Sequence, residues 1–433
     1  MAGRSWLNAC WISALLVGAL ASGVAAVPEL DRASWKRASA LLERGEGPAE
    51  TLPKEERTVL LAAAALELGD LDRAIRLAEP LAAKDPLAAV IAAEAHRRKA
   101  LAAAEAAGDY LKPLVPKRVQ LAEADLSAGL AEAEAKVARL LDAADGVLGE
   151  PVDVLALPEG ASVFLVDKAR ARLFVFVRHQ GKLVRVADEY VVTGAKPGPK
   201  TREGDGRTPE GVYRFLGAVR DPKLFDRYGP VVFPIDYPNA YDRLHRRNGH
   251  GIWLHGYPRH AKRRPPADTR GCFSVPNDRL EKLAQWIAPG RSWVIIGNDL
   301  AFDDSPRQTE LAASVRAAIE AWRLDWESLD SDRYLAHYDP AFRSGRFDYR
   351  AWARYKRRVN ATKRFVQVKI EDLAILRDPN PRPEGELVVA SFVQHYRSNN
   401  YQDTVRKRLF LVRRAPDQPW RILIEEAEPW AKR

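Results

Sequence analysis

The sequence predicts a multidomain α+β protein with three folded regions in a row, and three observations support this prediction. In the first 145 residues apolar side chains recur at three- and four-residue intervals, which is the period of packed helices. In the middle region, β-branched and aromatic residues alternate with charged ones, as in half-buried strands. The last region combines a long helical pattern with four strand-like runs, which favours a helix packed in a curved antiparallel sheet.

The first 26 residues have the layout of a secretory signal peptide. An apolar run from Ala9 to Leu20 is followed by small residues that end at Ala25 and Ala26. A membrane anchor is the weaker alternative, because the run is well short of the ~20 residues that span a bilayer. We expect a periplasmic protein without a stable membrane span once the signal, including Cys10, has been removed.

Residues 27–145 are rich in Ala, Leu, Glu and Arg, and Gly-Asp or Asp-Pro pairs interrupt their helical period. This pattern predicts stacked antiparallel helices. The stretch LELGDLDRAIRLAEPLAAKDP resembles part of a tetratricopeptide-type (TPR-like) helical pair. We expect this helical region to serve packing or dimerisation, so a homodimer is one predicted assembly. Residues 146–160 are predicted to be a linker.

The 433-residue chain has a formal net charge of +10 and 46% hydrophobic residues, which is enough for two or three ordinary cores. A basic balance suits an anionic partner. Because the chain is expected to be exported, anionic envelope material fits better than nucleic acid. The alternative that the charge serves only solubility stays open.

Residues 161–299 predict a mostly-β domain. HQGK forms a turn between two strands, and further strands are predicted at GVYRFLGAV, HGIWLHG and SWVIIG. NDRLEKLAQWIAPG predicts a helix with Asn277 as its N-cap and Gly290 at its end.

Cys272 precedes this helix and is the only cysteine outside the predicted signal peptide. An unpaired cysteine in an exported protein is either a small apolar filler or a reactive group. Gly271 permits a tight turn just before the thiol. Main-chain amides in such a turn are suited to hold a developing oxyanion.

His255 is the candidate base, because an imidazole can take the proton of a thiol and return it to a leaving amine. Alternation in a strand through GIWLHG places Trp253 and His255 on one face. An inert cysteine remains an alternative. A zinc site is a second alternative, because histidines recur every five residues at His245, His250, His255 and His260. A period of five suits ligands on neither a helix face nor a strand face.

Two motifs in order resemble the L,D-transpeptidase, or YkuD, catalytic domain. His255-Gly256 is followed by the sequence Thr269-Arg270-Gly271-Cys272, and Thr208-Pro209 with Gly211 and Tyr213 stands upstream of both. The resemblance covers about residues 160–298. It implies a cysteine enzyme of cell wall biogenesis that acts on peptidoglycan stem peptides and glycan, without metal or cofactor.

By this resemblance, Cys272 is the nucleophile, His255 is the base and then the acid, and the main chain of Gly271 belongs to the nucleophile loop. The resemblance also suggests three substrate-binding residues, which are Trp253, Tyr257 and Arg270. The thiolate attacks the carbonyl of the third residue of a stem tetrapeptide and expels the terminal D-alanine.

The acyl-enzyme then passes to an amine, which gives a 3-3 crosslink, or to water, which gives a tripeptide. Many crosslinking members have His directly before Gly-Cys, where this chain has Arg270. They also have Arg or Asn two residues after the cysteine, where this chain has Ser274. The run YGPVVFPIDYPNAYDRLHRRNGHGIWLHGYP is more similar to the helix-curving L,D-carboxypeptidases, which control cell shape. A degenerate, non-catalytic wall-binding protein is the alternative from another class.

Residues 308–433 resemble the NTF2-like domain, a cone with an internal pocket. We expect this domain to present substrate or bind glycan rather than to hold a second catalytic site. Five residues are candidates for lining its pocket: Asp325, Tyr338, His395, Tyr396 and Lys407.

Overall fold

The structure is a computed structural model that describes residues 29–106, 119–146, 148–261, 264–303 and 306–429. The predicted signal peptide, residues 1–26, lies outside the described residues. Across those described ranges, no helix combines the length and the apolar character that crossing a membrane requires.

The N-terminal region is helical, as predicted. Its elements are α1 (Arg32–Arg44), α2 (Lys54–Leu68), α3 (Leu71–Ala82), α4 (Pro86–Ala106) and α5 (Val119–Asp145). The predicted Gly-Asp break separates α2 from α3, where Gly69 adopts a positive φ of 85° and Asp70 accepts a hydrogen bond from the Arg73 amide. Alanines fill much of the shared core, which allows the helices to approach closely.

The middle region is built on a five-stranded sheet with the order β4-β3-β2-β11-β6. The strands are β2 (Ser162–Asp167), β3 (Arg172–His179), β4 (Lys182–Tyr190), β6 (Gly211–Arg214) and β11 (Ser292–Gly297). Gln180 and Gly181 form the predicted turn between β3 and β4 with φ values of 49° and 75°. Both values suit the two-residue turns that match the twist of a hairpin.

Two smaller sheets lie beside it. One has the order β10-β8-β7 and the other pairs β5 with β9. Their strands are β5 (Thr193–Gly194), β7 (Val232–Pro234), β8 (Trp253–His255), β9 (Ala267–Thr269) and β10 (Phe273–Ser274). The helices of this region are α6 (Phe225–Tyr228), α7 (Ala240–Leu244) and α8 (Asn277–Ala284).

Helix α8 corrects one expectation. Asn277 is the first helical residue rather than the N-cap, which is Pro276 and makes no side-chain cap bond. Proline has a fixed φ that suits entry into a helix. The helix ends at Ala284, earlier than the predicted Gly290.

The C-terminal region combines a seven-stranded sheet with three helices. The helices are α9 (Pro306–Glu327), α10 (Ser331–Leu335) and α11 (Tyr349–Asn360). The strands are β1 (Val154–Ala156), β12 (Tyr338–Ser344), β13 (Phe347–Asp348), β14 (Val366–Arg377), β15 (Glu386–Ser398), β16 (Gln402–Arg413) and β17 (Arg421–Pro429). Strand β1 comes from the segment predicted as a linker. It pairs with β14, because its buried apolar side chains need a sheet to cover them.

The middle and C-terminal regions share one hydrophobic core. Val163, Leu165 and Phe174 of the five-stranded sheet pack in the same cluster as Leu376 and Phe410 of the seven-stranded sheet. Polar contacts add to this packing: Arg408 pairs with Asp236 at 2.6 Å and with Glu426 at 2.7 Å. The two regions therefore hold a fixed orientation, with the smaller sheets outside the shared core.

Replacement of Phe410 by Ala should lower the free energy of unfolding by about 3–5 kcal/mol, because this fully buried ring fills the space between the sheets. Urea unfolding followed by tryptophan fluorescence measures the change. Phe365→Ala is the matched control, since Phe365 is 38% exposed and its loss should cost less than about 1 kcal/mol. Equal effects of the two substitutions would contradict a shared core.

Candidate active site

Cys272 lies at the end of a tight turn that only glycine permits. Gly271 has a φ of +128°, and a Cβ there would lie 2.7 Å from the carbonyl oxygen of Arg207. The Thr269 hydroxyl accepts a hydrogen bond from the Gly271 amide at 3.1 Å and donates one to the Cys272 carbonyl at 2.6 Å. The contribution of Gly271 is therefore conformational, because its amide is already bound within the turn.

The upstream Thr-Pro motif supports the same turn. The Thr208 hydroxyl donates to the Cys272 carbonyl oxygen at 3.2 Å and accepts from the Gly194 amide at 2.8 Å. A Cβ on Gly194 would lie 2.6 Å from the Thr208 amide nitrogen. Two motifs that lie far apart in the sequence thus meet at the backbone of the cysteine.

The thiol of Cys272 is partly buried. Its Sγ lies 3.3 Å from the carbonyl oxygen of Gly251, just before β8. Burial raises the pKa of this thiol above its ordinary value, although the Trp253 amide and the charges of nearby basic residues, including Arg270, act in the opposite direction. The sulfur is therefore a protonated thiol at neutral pH.

His255 is 3% exposed and lies at the end of β8. Its Nδ1 is 2.6 Å from the Gly256 carbonyl oxygen, which can only accept, so Nδ1 carries the proton and Nε2 keeps a free lone pair. Burial lowers the pKa of His255 to about 4. The imidazole is neutral at pH 7 and able to accept a proton.

Parallel pairing between β8 and β10 relates the two groups. Leu254 lies opposite Phe273, and His255 lies opposite Ser274. Extension of this register by one residue places Cys272 opposite Trp253, which shares a strand face with His255. The backbone of His255 lies two residues further along β8, which is roughly 6.6 Å along the strand axis.

Tyr228, at the end of α6, was not predicted from the sequence. Its ring lies edge-on to His255 with centroids 5.0 Å apart and edge-on to Trp253 at 5.2 Å. The Tyr228 carbonyl also accepts a hydrogen bond from the Gly256 amide at 2.8 Å. No spacing rule marks this tyrosine, because a loop brings it to β8.

The comparisons with known proteins concern the domain that contains these residues. Residues 161–296 match the family model of the L,D-transpeptidase (YkuD) catalytic domain, and residues 314–426 match that of the Cds6 C-terminal NTF2-like domain. The middle region is an L,D-transpeptidase catalytic domain. The chain therefore combines a catalytic domain of a peptidoglycan-acting enzyme family with a helical region and an NTF2-like domain.

Individual relatives agree with this assignment. The Escherichia coli protein named "Putative L,D-transpeptidase YafK" is 28% identical over 131 residues, which are 30% of this chain and 48% of that protein. The chain thus spans about half the length of this curated relative. Bd1075 of Bdellovibrio bacteriovorus is 26% identical with a TM-score of 0.56 over 65% of this chain and 99% of its own. The helical cell shape determining protein Pgp2 of Campylobacter jejuni is 27% identical with a TM-score of 0.56, over 64% and 95%.

In this L,D-transpeptidase domain, Gly256 is required by its surroundings. A Cβ there would lie 1.9 Å from Oδ1 of Asn277 and 3.2 Å from Cα of Gly229. The Gly256 carbonyl accepts hydrogen bonds from both the His255 ring and the Ser274 hydroxyl, the latter at 3.1 Å. This packing explains why a glycine follows the histidine.

The three predicted substrate-binding residues lie in different environments. Arg270 is exposed beside the nucleophile turn, and Trp253 is partly exposed. Tyr257, in contrast, is only 4% exposed and packs with Ala135 of α5 and with Tyr190. Tyr257 is therefore buried in a cluster that includes a residue of the helical region, and its role in substrate binding stays a prediction.

Two of the other histidines lie beside carboxylates. His245 lies 3.0 Å from a Glu384 carboxylate oxygen, and His250 lies 3.2 Å from one of Glu203. The part of the chain that the structure describes contains no cluster of three metal-ligating side chains.

Two of the five pocket candidates in the NTF2-like domain meet at a buried glutamate. The Tyr338 hydroxyl donates to Glu425 at 2.8 Å, and the Lys407 ammonium donates to the same carboxylate at 2.6 Å. The others have different surroundings: Asp325 pairs with His337, His395 pairs with Glu371, and Tyr396 lies in the core.

Replacement of Gly256 by Ala should destabilise the domain by roughly 1–3 kcal/mol, because the new methyl group collides with Asn277. Asn277→Ala in the same chain removes the obstructing atom and should restore part of the lost stability. Thermal unfolding measures the effects, with Asn277→Ala alone as control. Failure of the double variant to recover stability would show that another contact demands glycine.

Proposed function

We propose that this protein is a periplasmic cysteine acyltransferase that removes the terminal D-alanine from peptidoglycan stem tetrapeptides. The observation that supports this most directly is the neutral imidazole of His255, with its Nδ1 bound and Nε2 unprotonated, on the strand next to the partly exposed Cys272. The match to the L,D-transpeptidase model supplies the substrate class.

Acylation begins with transfer of the Cys272 proton to Nε2 of His255 as the sulfur attacks the carbonyl carbon of the third residue. The C–S bond forms, and the C–N bond to D-alanine breaks. His255 returns its proton to the departing amine nitrogen. Because burial raises the pKa of the thiol and lowers that of the imidazole, the proton moves during attack rather than beforehand.

Deacylation uses the same imidazole. His255 takes a proton from water or from an acceptor amine, the new bond to carbon forms, and the C–S bond breaks as the thiol is reprotonated. Water yields a tripeptide, which is L,D-carboxypeptidation. An amine yields a 3-3 crosslink, which is L,D-transpeptidation.

One observation favours water as the acceptor. Ser274 stands where many crosslinking members have Arg or Asn, and its hydroxyl is bound inward to the Gly256 carbonyl. This position therefore presents no long polar side chain to an acceptor strand. Likeness to Pgp2, a helical cell shape determining protein, supports a role in cell shape for the carboxypeptidase reaction.

The flanking groups have proposed roles in binding. The exposed guanidinium of Arg270 is suited to a carboxylate of the stem peptide, and Trp253 to an apolar part of it. Glycan contact by the NTF2-like domain, export by the signal peptide and a homodimer through the helical region stay predictions. A non-catalytic wall-binding protein is the competing hypothesis.

Cys272→Ala should reduce tripeptide formation from a tetrapeptide muropeptide by roughly 1,000-fold or more, since no other group replaces the nucleophile. Mass spectrometry of the products, with and without an acceptor peptide, separates tripeptide from crosslinked dimer. Circular dichroism checks that the variant is folded. Unchanged product formation by this variant would exclude the cysteine mechanism, and muropeptide binding without turnover by the wild type would favour the competing hypothesis.

The acid limb of kcat/KM should have its midpoint near pH 4, because His255 must be neutral to accept the thiol proton and burial lowers its pKa to about 4. Below that pH the imidazole is protonated and kcat/KM falls. Above it the imidazole is neutral and kcat/KM is nearly constant through pH 7. Initial rates from pH 3.5 to 8 measure this profile. A midpoint near 6.5, the ordinary value for histidine, would indicate a solvated imidazole or another base.

A further inference from the structure

Helix α5 belongs to the helical region but packs with two different parts of the molecule. Ala133, Val137 and Leu140 lie in the core of the helical region. Ala135 lies instead in a cluster with Tyr190 and residues around the active site. Both alanines are buried, Ala133 at 0% and Ala135 at 2% exposure, so α5 is covered on two faces.

Charged contacts fix α5 against the catalytic domain. Arg139 donates to the Asp188 carbonyl at 2.8 Å. Arg172 of β3, which is only 2% exposed, is bound both by Asp142 of α5 and by Asp188 of β4. Separation of the helix would leave the Arg172 charge buried without one of its two carboxylates, which is costly.

The contact continues to the segment that follows His255. Tyr257 packs in the same small cluster as Ala135 and Tyr190. The Tyr190 hydroxyl donates to the Arg264 carbonyl at 2.8 Å, and Lys136 of α5 lies 5.5 Å from the Tyr190 ring centroid. Through Tyr190, helix α5 is thus linked to the segment between His255 and Cys272.

Tyr257 is bonded directly to Gly256, whose carbonyl oxygen accepts a hydrogen bond from Nδ1 of His255. A displacement of Tyr257 that reaches its backbone would therefore shift the peptide group that orients the imidazole. Groups of this kind keep catalytic side chains in the productive geometry, and a misplacement of about 1 Å costs up to roughly 100-fold in rate.

We propose that α5 is a positioning element of the active site and that Ala135 is a positioning residue for His255, acting through Tyr257 and Gly256. The helical region would then be part of the working enzyme, although both family models lie within residues 161–426 and leave it out. This inference rests on the proposed function for its kinetic consequence but not for its structural one.

Ala135→Leu in the full chain tests the inference, because the larger side chain overpacks the cluster that contains Tyr257. Ala133→Leu is the matched control: it overpacks the same helix, but on the face that lies in the helical core. We expect Ala135→Leu to lower kcat for D-alanine release by roughly 10- to 100-fold with KM changed less than about 3-fold. Ala133→Leu should lower the melting temperature and leave kcat within about 3-fold of wild type.

Nitrogen-15 NMR of the histidines gives a second readout, with His255→Gln used for assignment. We expect wild type and Ala133→Leu to show the tautomer protonated at Nδ1, and Ala135→Leu to lose this preference. If the leucine variants do not fold, Ala135→Gly and Ala133→Gly repeat the comparison by removal of the methyl group.

Equal kcat losses in the Ala133 and Ala135 variants, or an unchanged His255 tautomer in a folded Ala135 variant, would overturn the inference. If wild type releases no D-alanine from any tetrapeptide, the proposed function fails. In that case, the NMR comparison of the His255 tautomer in wild type and the Ala135 and Ala133 variants tests the positioning role without kinetic data.

Discussion

The candidate active site depends on one acceptor, the carbonyl oxygen of Gly256. It takes hydrogen bonds from the His255 ring and the Ser274 hydroxyl, and so joins β8 to β10 beside the proposed base and the proposed nucleophile. Because a carbonyl oxygen can only accept, this contact selects the imidazole tautomer whose Nε2 is free. The Tyr228 carbonyl accepts a hydrogen bond from the Gly256 amide, and the Asn277 side chain and Gly229 pack closely against the same residue.

Burial determines the electrostatics of the pair. Removal from water disfavours the charged form of each group, so the imidazole stays neutral and the thiol stays protonated. The site therefore does not hold a ready-made ion pair of thiolate and imidazolium. It resembles a general-base arrangement, in which charge develops only when a substrate carbonyl is in place.

The two flanking regions are attached to the catalytic domain in different ways. The NTF2-like domain shares a hydrophobic core with the five-stranded sheet, and β1 from the intervening segment completes its seven-stranded sheet. Among the described residues of the helical region, helix α5 contacts the domain through ion pairs around Arg172 and a small cluster at Tyr257. The apolar contact favours a permanent orientation, and the polar one places the helical region beside the active-site segment.

The sequence by itself determined the order of the regions, the alternation that places Trp253 and His255 on one face of a strand, and the motifs that mark Cys272 and His255. These are local properties, because periodicity and short motifs depend on neighbours along the chain. Tertiary structure decided that Tyr257 is buried, that Asn277 packs against Gly256 instead of capping a helix, and that Tyr228 reaches His255. Each of these contacts joins residues from separate elements, so its geometry follows from how sheets and helices pack and is not encoded in any one segment.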